Sequence, residues 1–205
     1  PSERLQTLAA FKKAGVACGI FLLPVIPFIT DTPEMITDAL HKASEVDVDF
    51  VVFGGMTLKT GRQKDHFYQV LNTARPELVV KYEQIYKGHG WGQATDEYYN
   101  PLNAVFNQTA KAFKLRRRMP PELYRDILWE NDLVVVMLEQ IDYFLRLEGE
   151  RSSFGYAAYA ISKLNVPLSL MKNRLREISG VGAKTEQIIL EILSTKRSTY
   201  YDSLS

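Results

Sequence analysis

The sequence predicts an α/β region followed by an all-α region, and three observations carry that expectation. The apolar runs at residues 20–23 (IFLL) and 49–56 (DFVVFGGM) are continuous rather than alternating, as in strands covered on both faces of a parallel sheet. A helical pattern lies between them, and a strand–helix–strand order makes a right-handed crossover. After residue 60 no further strand convinces, and helical spacing runs to the end of the chain.

Each element has its own signals. Ser2 is a good N-cap, Leu5, Leu8, Ala9 and Phe11 fall at helical spacing, and Gly15 is a stop after Lys12 and Lys13. The first strand follows, closed by Pro24 and Pro27, neither of which can donate to a ladder. Thr32 then caps a second helix with Pro33 at its first position, and Met35, Ile36, Ala39, Leu40 and Ala43 are expected to face inward. Helices are expected at 63–73, 76–86 and 97–115, the last ending in the basic cluster Lys111, Lys114 and Arg116 to Arg118. The run LVVVML at 133–138 has the β-branched content of a strand. Its flanks, including Leu128, Trp129, Ile141 and Phe144, keep helical spacing, so a helix is predicted to about residue 147. Further helices are expected at 154–164, 168–178 and 183–193. The organisation is therefore residues 1–60 as βα units, 61–118 as a helical segment with a glycine-rich loop, and 119–205 as a C-terminal helical domain.

Composition narrows the classes of function. With 46% apolar residues the chain can bury a sizeable core, and a net charge of +1 gives no global pull toward nucleic acid or an acidic membrane. The single cysteine, Cys18, excludes an internal disulfide and any cysteine-built metal or cluster site within this chain, and it suits a cytoplasmic setting. Cys18 is expected to be an ordinary buried thiol. His41, His66 and His89 have no ligand-like spacing, so no metal site is expected. No apolar run is long enough to span a membrane.

Four stretches are candidates for function. Loops after the C-terminal ends of parallel strands are where α/β folds bind ligands, which singles out residues 25–31; a buried strand with a tight loop and no chemistry is the alternative. The loop GHGWGQAT at 88–95 carries His89 and Trp91, with Tyr98 and Tyr99 just beyond. These rings suit stacking on a base or covering a site, and equally suit packing. The basic run at 114–118 suits a phosphate backbone or a solvated helix end. The last is the pair of short amphipathic helices at 168–193 joined by Ser179-Gly180-Val181-Gly182.

That pair resembles the helix-hairpin-helix motif. The resemblance implies that the amides of Gly180, Val181 and Gly182, with Lys184, hold a nucleic-acid phosphate without reading sequence. Glu186 departs from the motif, which usually has Ala there; the carboxylate either points to solvent or repels the phosphate. Residues 168–205 hold six Lys and Arg against four Asp and Glu, a weak basic bias. Closing the helical domain, or contacting another protein, is the competing role.

Pro1-Ser2 with Arg4-Leu5, Ala14-Gly15-Val16, Pro24-Val25-Ile26-Pro27 with Thr30-Asp31, Tyr98-Tyr99 with Leu102-Asn103, Glu130-Asn131-Asp132-Leu133 and the terminal hairpin form a second pattern. Through these residues most of the chain resembles the C-terminal part of radical S-adenosylmethionine proteins of the spore photoproduct lyase-like, "DNA repair photolyase" type. The resemblance implies a partial (β/α)6 barrel in which the two strands are the fifth and sixth. It implies a 4Fe–4S cluster held by three closely spaced cysteines after the first strand, with S-adenosylmethionine on the fourth iron position. Val25, Ile26, Pro27, Gly54 and Gly55 would then form the adenosine side of that pocket, with His89, Trp91, Tyr98 and Tyr99 toward substrate. Phe28 stands where the family pattern leads us to expect glycine, and would narrow the pocket mouth or pack in the core. The cluster cysteines are absent, so the chain is expected to be the C-terminal portion of a larger enzyme, inactive without its missing N-terminal half, possible nucleic-acid repair or modification being the parent's role. The exposed sheet edge is expected to be covered by the C-terminal helices or by a second copy in a dimer. The competing reading is a helical nucleic-acid-binding or protein-interaction module using the hairpin, with DNA or RNA as partner.

Overall fold

A computed structural model describes residues 2–88 and 91–205. The chain divides into two compact units, Pro1–Met119 and Pro120–Ser205. The first holds a mixed α/β arrangement and the second is helical.

In the first unit, helix α1 (Ser2–Lys13) stops where Gly15 takes φ +75°. It buries none of its residues, and Phe11 is 48% exposed, so its expected apolar face is weak. Polar bonds attach it instead. Lys12 Nζ lies 2.9 Å from Asp49, whose second carboxylate oxygen accepts the Cys18 N–H at 2.7 Å. The Asp49 N–H returns to the Cys18 carbonyl at 2.8 Å, so one aspartate ties the helix to the starts of both strands.

Strands β1 (Gly19–Val25) and β2 (Phe50–Gly55) pair in parallel across the crossover helix α2 (Pro33–Glu45). Thr32 caps α2 by accepting the Met35 N–H at 3.2 Å. Its stripe is Ile36, Leu40 and Ala43; Met35, expected inward, is 46% exposed because it sits one position off that stripe.

Two expectations for β1 fail. It runs through Pro24 rather than ending there: Leu22 faces Phe53 and Val25 faces Gly55, so Leu23 and Pro24 together oppose Gly54 in a bulge. The missing proline N–H falls where the ladder is already interrupted. Nor is β1 covered on both faces. Phe21 is 63% exposed and Leu23 47%, so the cover expected over this strand is not seen on that face. Continuous apolarity is a poor guide here because, among the described residues, the sheet has two strands.

Helix α3 (Arg62–Ala74) leads through a 3₁₀ turn (Pro76–Leu78) into α4 (Val79–Ile85), and α5 (Asp96–Ala112) returns across the sheet. α5 is shorter than expected because Lys114 takes φ +56°, which ends the helix and returns Leu115 to the core. The Arg116 carbonyl then accepts the Val51 N–H at 2.8 Å, adding a bond to β2. Of the basic cluster, only Lys111 therefore lies on the helix. One apolar core joins the sheet, α2 and α5 around Leu40, Val51, Phe53 and Phe106; a second gathers Leu58, Leu71, Leu78, Tyr82, Ile85 and Tyr86.

The second unit is organised on α6 (Glu130–Leu147), where the run at 133–138 is helical, as its flanks predicted. Leu133, Val134, Met137, Leu138, Ile141, Phe144 and Leu145 are buried. Leu128 and Trp129 precede the helix, and Trp129 is half exposed. Around α6 pack α7 (Phe154–Ile161), α8 (Ala183–Thr195) and α9 (Thr199–Leu204). Residues Leu168–Glu177, expected as an ordinary helix, wind as a 3₁₀ helix. Asn131 clamps its entry, its amide oxygen accepting the Leu168 N–H at 2.9 Å and its amide N–H donating to the Val166 carbonyl at 3.0 Å. Among the described residues, no helix is long and apolar enough to cross a membrane.

A candidate cavity at the strand ends

Both strands of the first unit end at a cavity of about 170 Å³. Val25 and Pro27 reach it from the end of β1, Gly55 and Met56 from the end of β2, and Tyr98 and Tyr99 from the first turn of α5. Of the five residues predicted for a cofactor wall, three therefore line it. Ile26 and Gly54 do not: the Ile26 N–H turns inward to Thr30 Oγ1 at 2.8 Å, and Gly54 lies in the bulge beside Leu23.

Four tyrosines fix the cavity's shape by fastening the two strand-end loops. On the β1 side, the Tyr82 hydroxyl donates to the Pro27 carbonyl at 2.7 Å and the Tyr98 hydroxyl donates to Asp31 Oδ2 at 2.5 Å. On the β2 side, the Tyr86 hydroxyl donates to the Met56 carbonyl at 2.7 Å, and the Gly55 N–H donates to the Tyr99 oxygen at 2.6 Å. A tyrosine suits this task because its ring fills the core while its polar tip satisfies a buried backbone group. Burial pushes the Tyr82 phenol up to about 12. It raises Tyr86 and Tyr98 further, with the hydrogen bond to Asp31 adding to the effect on Tyr98. At neutral pH these phenols stay protonated and donate; none is a base. The polar side chains left to meet a ligand are those of Thr57, Gln93 and Asp96.

Phe28 is not among the cavity's walls. It takes φ +59°, a backbone region that favours glycine, so the position is glycine-like even though phenylalanine occupies it. Its ring packs on Tyr82 and Tyr98, with centroids 5.6 and 5.5 Å apart. Phe28 thus belongs to the aromatic cluster behind the cavity.

Trp91 stands apart from Tyr98 and Tyr99. It is 75% exposed, with Lys59 Nζ 4.4 Å from its ring centroid. His89 lies outside the described residues. Cys18 is half-buried rather than buried, and it precedes β1 at the end opposite the cavity. Burial raises its thiol above the ordinary value. His41 lies 3.9 Å from Glu45, and no cluster of metal-ligating side chains occurs among the described residues.

In the second unit the hairpin turn is tight. Gly180 takes φ +83°, and a side chain there would meet the Tyr156 ring at 2.7 Å and the Ala157 backbone at 2.9 Å. Val181 is buried and its N–H donates to the Ile178 carbonyl at 3.0 Å, so its side chain belongs to the core and its amide is engaged within the turn. Gly182 precedes α8 with no side-chain cap. The Lys184 ammonium sits 3.7 Å from the Tyr200 ring centroid, and Glu186 is held by Arg176 at 2.6 Å. The departure at 186 is thereby resolved: its carboxylate is paired across the hairpin.

Sequence reasoning missed Tyr82 and Tyr86, and it singled out the 25–31 stretch without the bond from Tyr98 to Asp31. Tyr82, on α4, and Tyr86, just past its end, sit four residues apart and read as core, which they also are. No local pattern reveals that their hydroxyls reach loops far away in sequence.

No family profile matches the chain, and no solved structure matches it. An uncharacterized protein of Mycobacterium bovis and two from strains of Mycobacterium tuberculosis are 31% identical to it over 87 residues, 42% of this chain and 25% of each relative. The match thus spans about a quarter of the length of these curated relatives, and their printed names carry no activity.

Proposed function

We propose that this chain is the C-terminal portion of a radical S-adenosylmethionine enzyme of the spore photoproduct lyase-like type, and that its strands are late strands of a partial barrel. The observation that carries the reading is the convergence of Val25, Pro27 and Gly55 on one cavity at the C-terminal ends of two parallel strands. Enclosed small-molecule sites measure about 300–1,000 Å³. A cavity of about 170 Å³ suits one wall of such a site, with the rest supplied elsewhere.

The residues present do not fit an iron–sulfur cluster. The one thiol, Cys18, lies at the wrong end of β1 and has no second cysteine to join it. What its own residues do is narrower: Val25 and Pro27 offer an apolar wall, the tyrosines hold the loops, and Thr57, Gln93 and Asp96 offer polar contacts to a bound adenosine.

The test uses the whole protein, reconstituted with iron and sulfide without oxygen and assayed for S-adenosylmethionine cleavage. Cleavage is expected, and Gly55→Val, which drives a branched side chain into the Tyr99 ring and the cavity, is expected to raise the KM for S-adenosylmethionine about tenfold or more, the cost of displaced binding contacts. A full-length protein without clustered upstream cysteines would sink the proposal.

A further inference from the structure

We infer that Trp91 is a stacking shelf for a nucleotide at the rim of the cavity, with Lys59 and Arg62 facing its phosphate. This inference stands on Trp91 and Lys59, which the cofactor reading does not use, and shares only Gln93 and Asp96 with it. Isolated apolar side chains on a surface need no explanation, but a tryptophan that is 75% exposed has surrendered most of the burial its large ring offers.

The shelf is built. Gly92, with φ +72°, rests against the backbone of Leu58 and Lys59 so closely that no side chain fits, and its carbonyl accepts the Leu58 N–H at 2.7 Å. Thr95 is fastened in the same way, its N–H donating to the Ile85 carbonyl at 2.8 Å. The residue presenting the ring is thus next to an anchored one, which lowers the ordering cost of stacking.

The charge around the ring has a direction. Lys59 sits over one face of the indole, and Arg62 follows three positions later at the start of α3; both are exposed. Asp96 and Glu97 line the depression beside Trp91, which measures about 390 Å³, whereas Lys59 lies outside that lining over the indole. Gln93, Ala94 and Asp96 line both this depression and the cavity at the strand ends, so the two adjoin. A nucleotide matches that layout, with its ring on the open indole face, its phosphate toward Lys59 and Arg62, and its hydroxyl or amino donors toward Asp96. The same chemistry comes from a free nucleotide or from an unpaired base of a strand.

The test reads indole fluorescence in the full chain carrying Trp129→Phe, which leaves Trp91 as the single tryptophan. It is titrated with adenosine monophosphate, with a single-stranded deoxythymidine decamer, and with polyglutamate of equal length, over a salt series. Saturable quenching by either nucleotide ligand, weakening with salt, is expected. Tighter binding of the decamer assigns a strand, and equal binding assigns a free nucleotide. Trp91→Ala, followed by anisotropy of labelled ligand, is expected to weaken binding about 5- to 150-fold, the range for one stacked base. Lys59→Ala is expected to lower the salt slope by about one. No binding by either nucleotide ligand, equal affinity in Trp91→Ala, or tighter binding of polyglutamate overturns the inference.

Discussion

The backbone N–H of Gly55 donates to the phenol oxygen of Tyr99 at 2.6 Å, and the Tyr99 ring occupies the space that a Gly55 side chain would need. Glycine at the end of β2 is therefore a requirement of packing, since its φ lies in the ordinary region. Gly55→Ala is expected to displace the ring and cost about 1–3 kcal/mol, the usual range for overpacking. Gly54 is the internal control. A side chain there would lie 3.3 Å from Leu23 Cβ, a contact that small adjustments relieve, so Gly54→Ala should stay within about 1 kcal/mol of wild type. Urea midpoints for the two variants check the contrast, and equal losses would contradict it.

Alkaline pH should loosen the first unit. Burial raises the Tyr82 phenol to about 12, against about 10 in an unfolded chain. Between those values the unfolded state loses the proton first and binds fewer protons than the folded state, so stability falls as pH rises. The contribution is complete below about pH 10 and lost by about pH 12. Each such phenol adds a slope of up to about 1.4 kcal/mol per pH unit. Tyr82→Phe removes one slope and leaves the Pro27 carbonyl without its donor, at about 1–3 kcal/mol below pH 9. Urea midpoints between pH 9 and 11.5 check both effects; an unchanged alkaline limb in the variant would show that Tyr82 is not among the groups responsible.

Phe28 offers a test in which the order of two substitutions matters. Its φ of +59° costs a non-glycine residue about 1–2 kcal/mol, which its packing on Tyr82 and Tyr98 offsets. Phe28→Ala loses the ring and keeps the strain; Phe28→Gly loses the ring and relieves it. The glycine variant is therefore expected to be the more stable of the two by about 1 kcal/mol, the reverse of the usual ranking. Thermal melts of both variants decide the order.

What the sequence made legible, and what it hid, divides along physical lines. The α2 stripe of Ile36, Leu40 and Ala43 follows from a helical period written in adjacent turns, and the helix at 133–138 follows from its flanks. Val25, Pro27 and Gly55 could be named because strand ends are marked by proline and glycine. Two of the tyrosine fasteners could not, since Tyr82 and Pro27 are 55 residues apart and Tyr86 and Met56 are 30 apart. The exposure of Phe21 was hidden for a related reason: an apolar run reports the affinity of a strand for cover, while the number of neighbouring layers is decided elsewhere in the chain.

Asn131 should be the most sensitive polar residue of the second unit. It is 3% exposed, and its amide satisfies the Leu168 N–H and the Val166 carbonyl at the entry to the hairpin. Asn131→Ala strands both groups, at about 2–4 kcal/mol together. Asn131→Asp keeps the acceptor but buries a charge against the Val166 carbonyl, so near neutral pH it should be no more stable than the alanine variant. Hydrogen exchange at the Leu168 amide gives the local readout. Protection there unchanged in Asn131→Ala would show that the clamp contributes nothing.

The hairpin's charges are already engaged within the second unit, and this decides how its nucleic-acid role should be tested. Lys184 lies over Tyr200, and Glu186 is bonded to Arg176. Lys184→Met keeps most of the packing on the ring while removing the charge, whereas Lys184→Glu reverses the charge beside the α8 N-terminus. If the amides at the N-terminus of α8 hold a phosphate, binding of a short DNA duplex should weaken in the order wild type, Met, Glu, and the salt slope should fall by about one on loss of the charge. Glu186→Gln should strengthen the same binding by releasing Arg176. Equal affinities and equal slopes across all four proteins would leave the hairpin with a packing role alone, in which Val181, Ile188 and Ile192 close the core around α6.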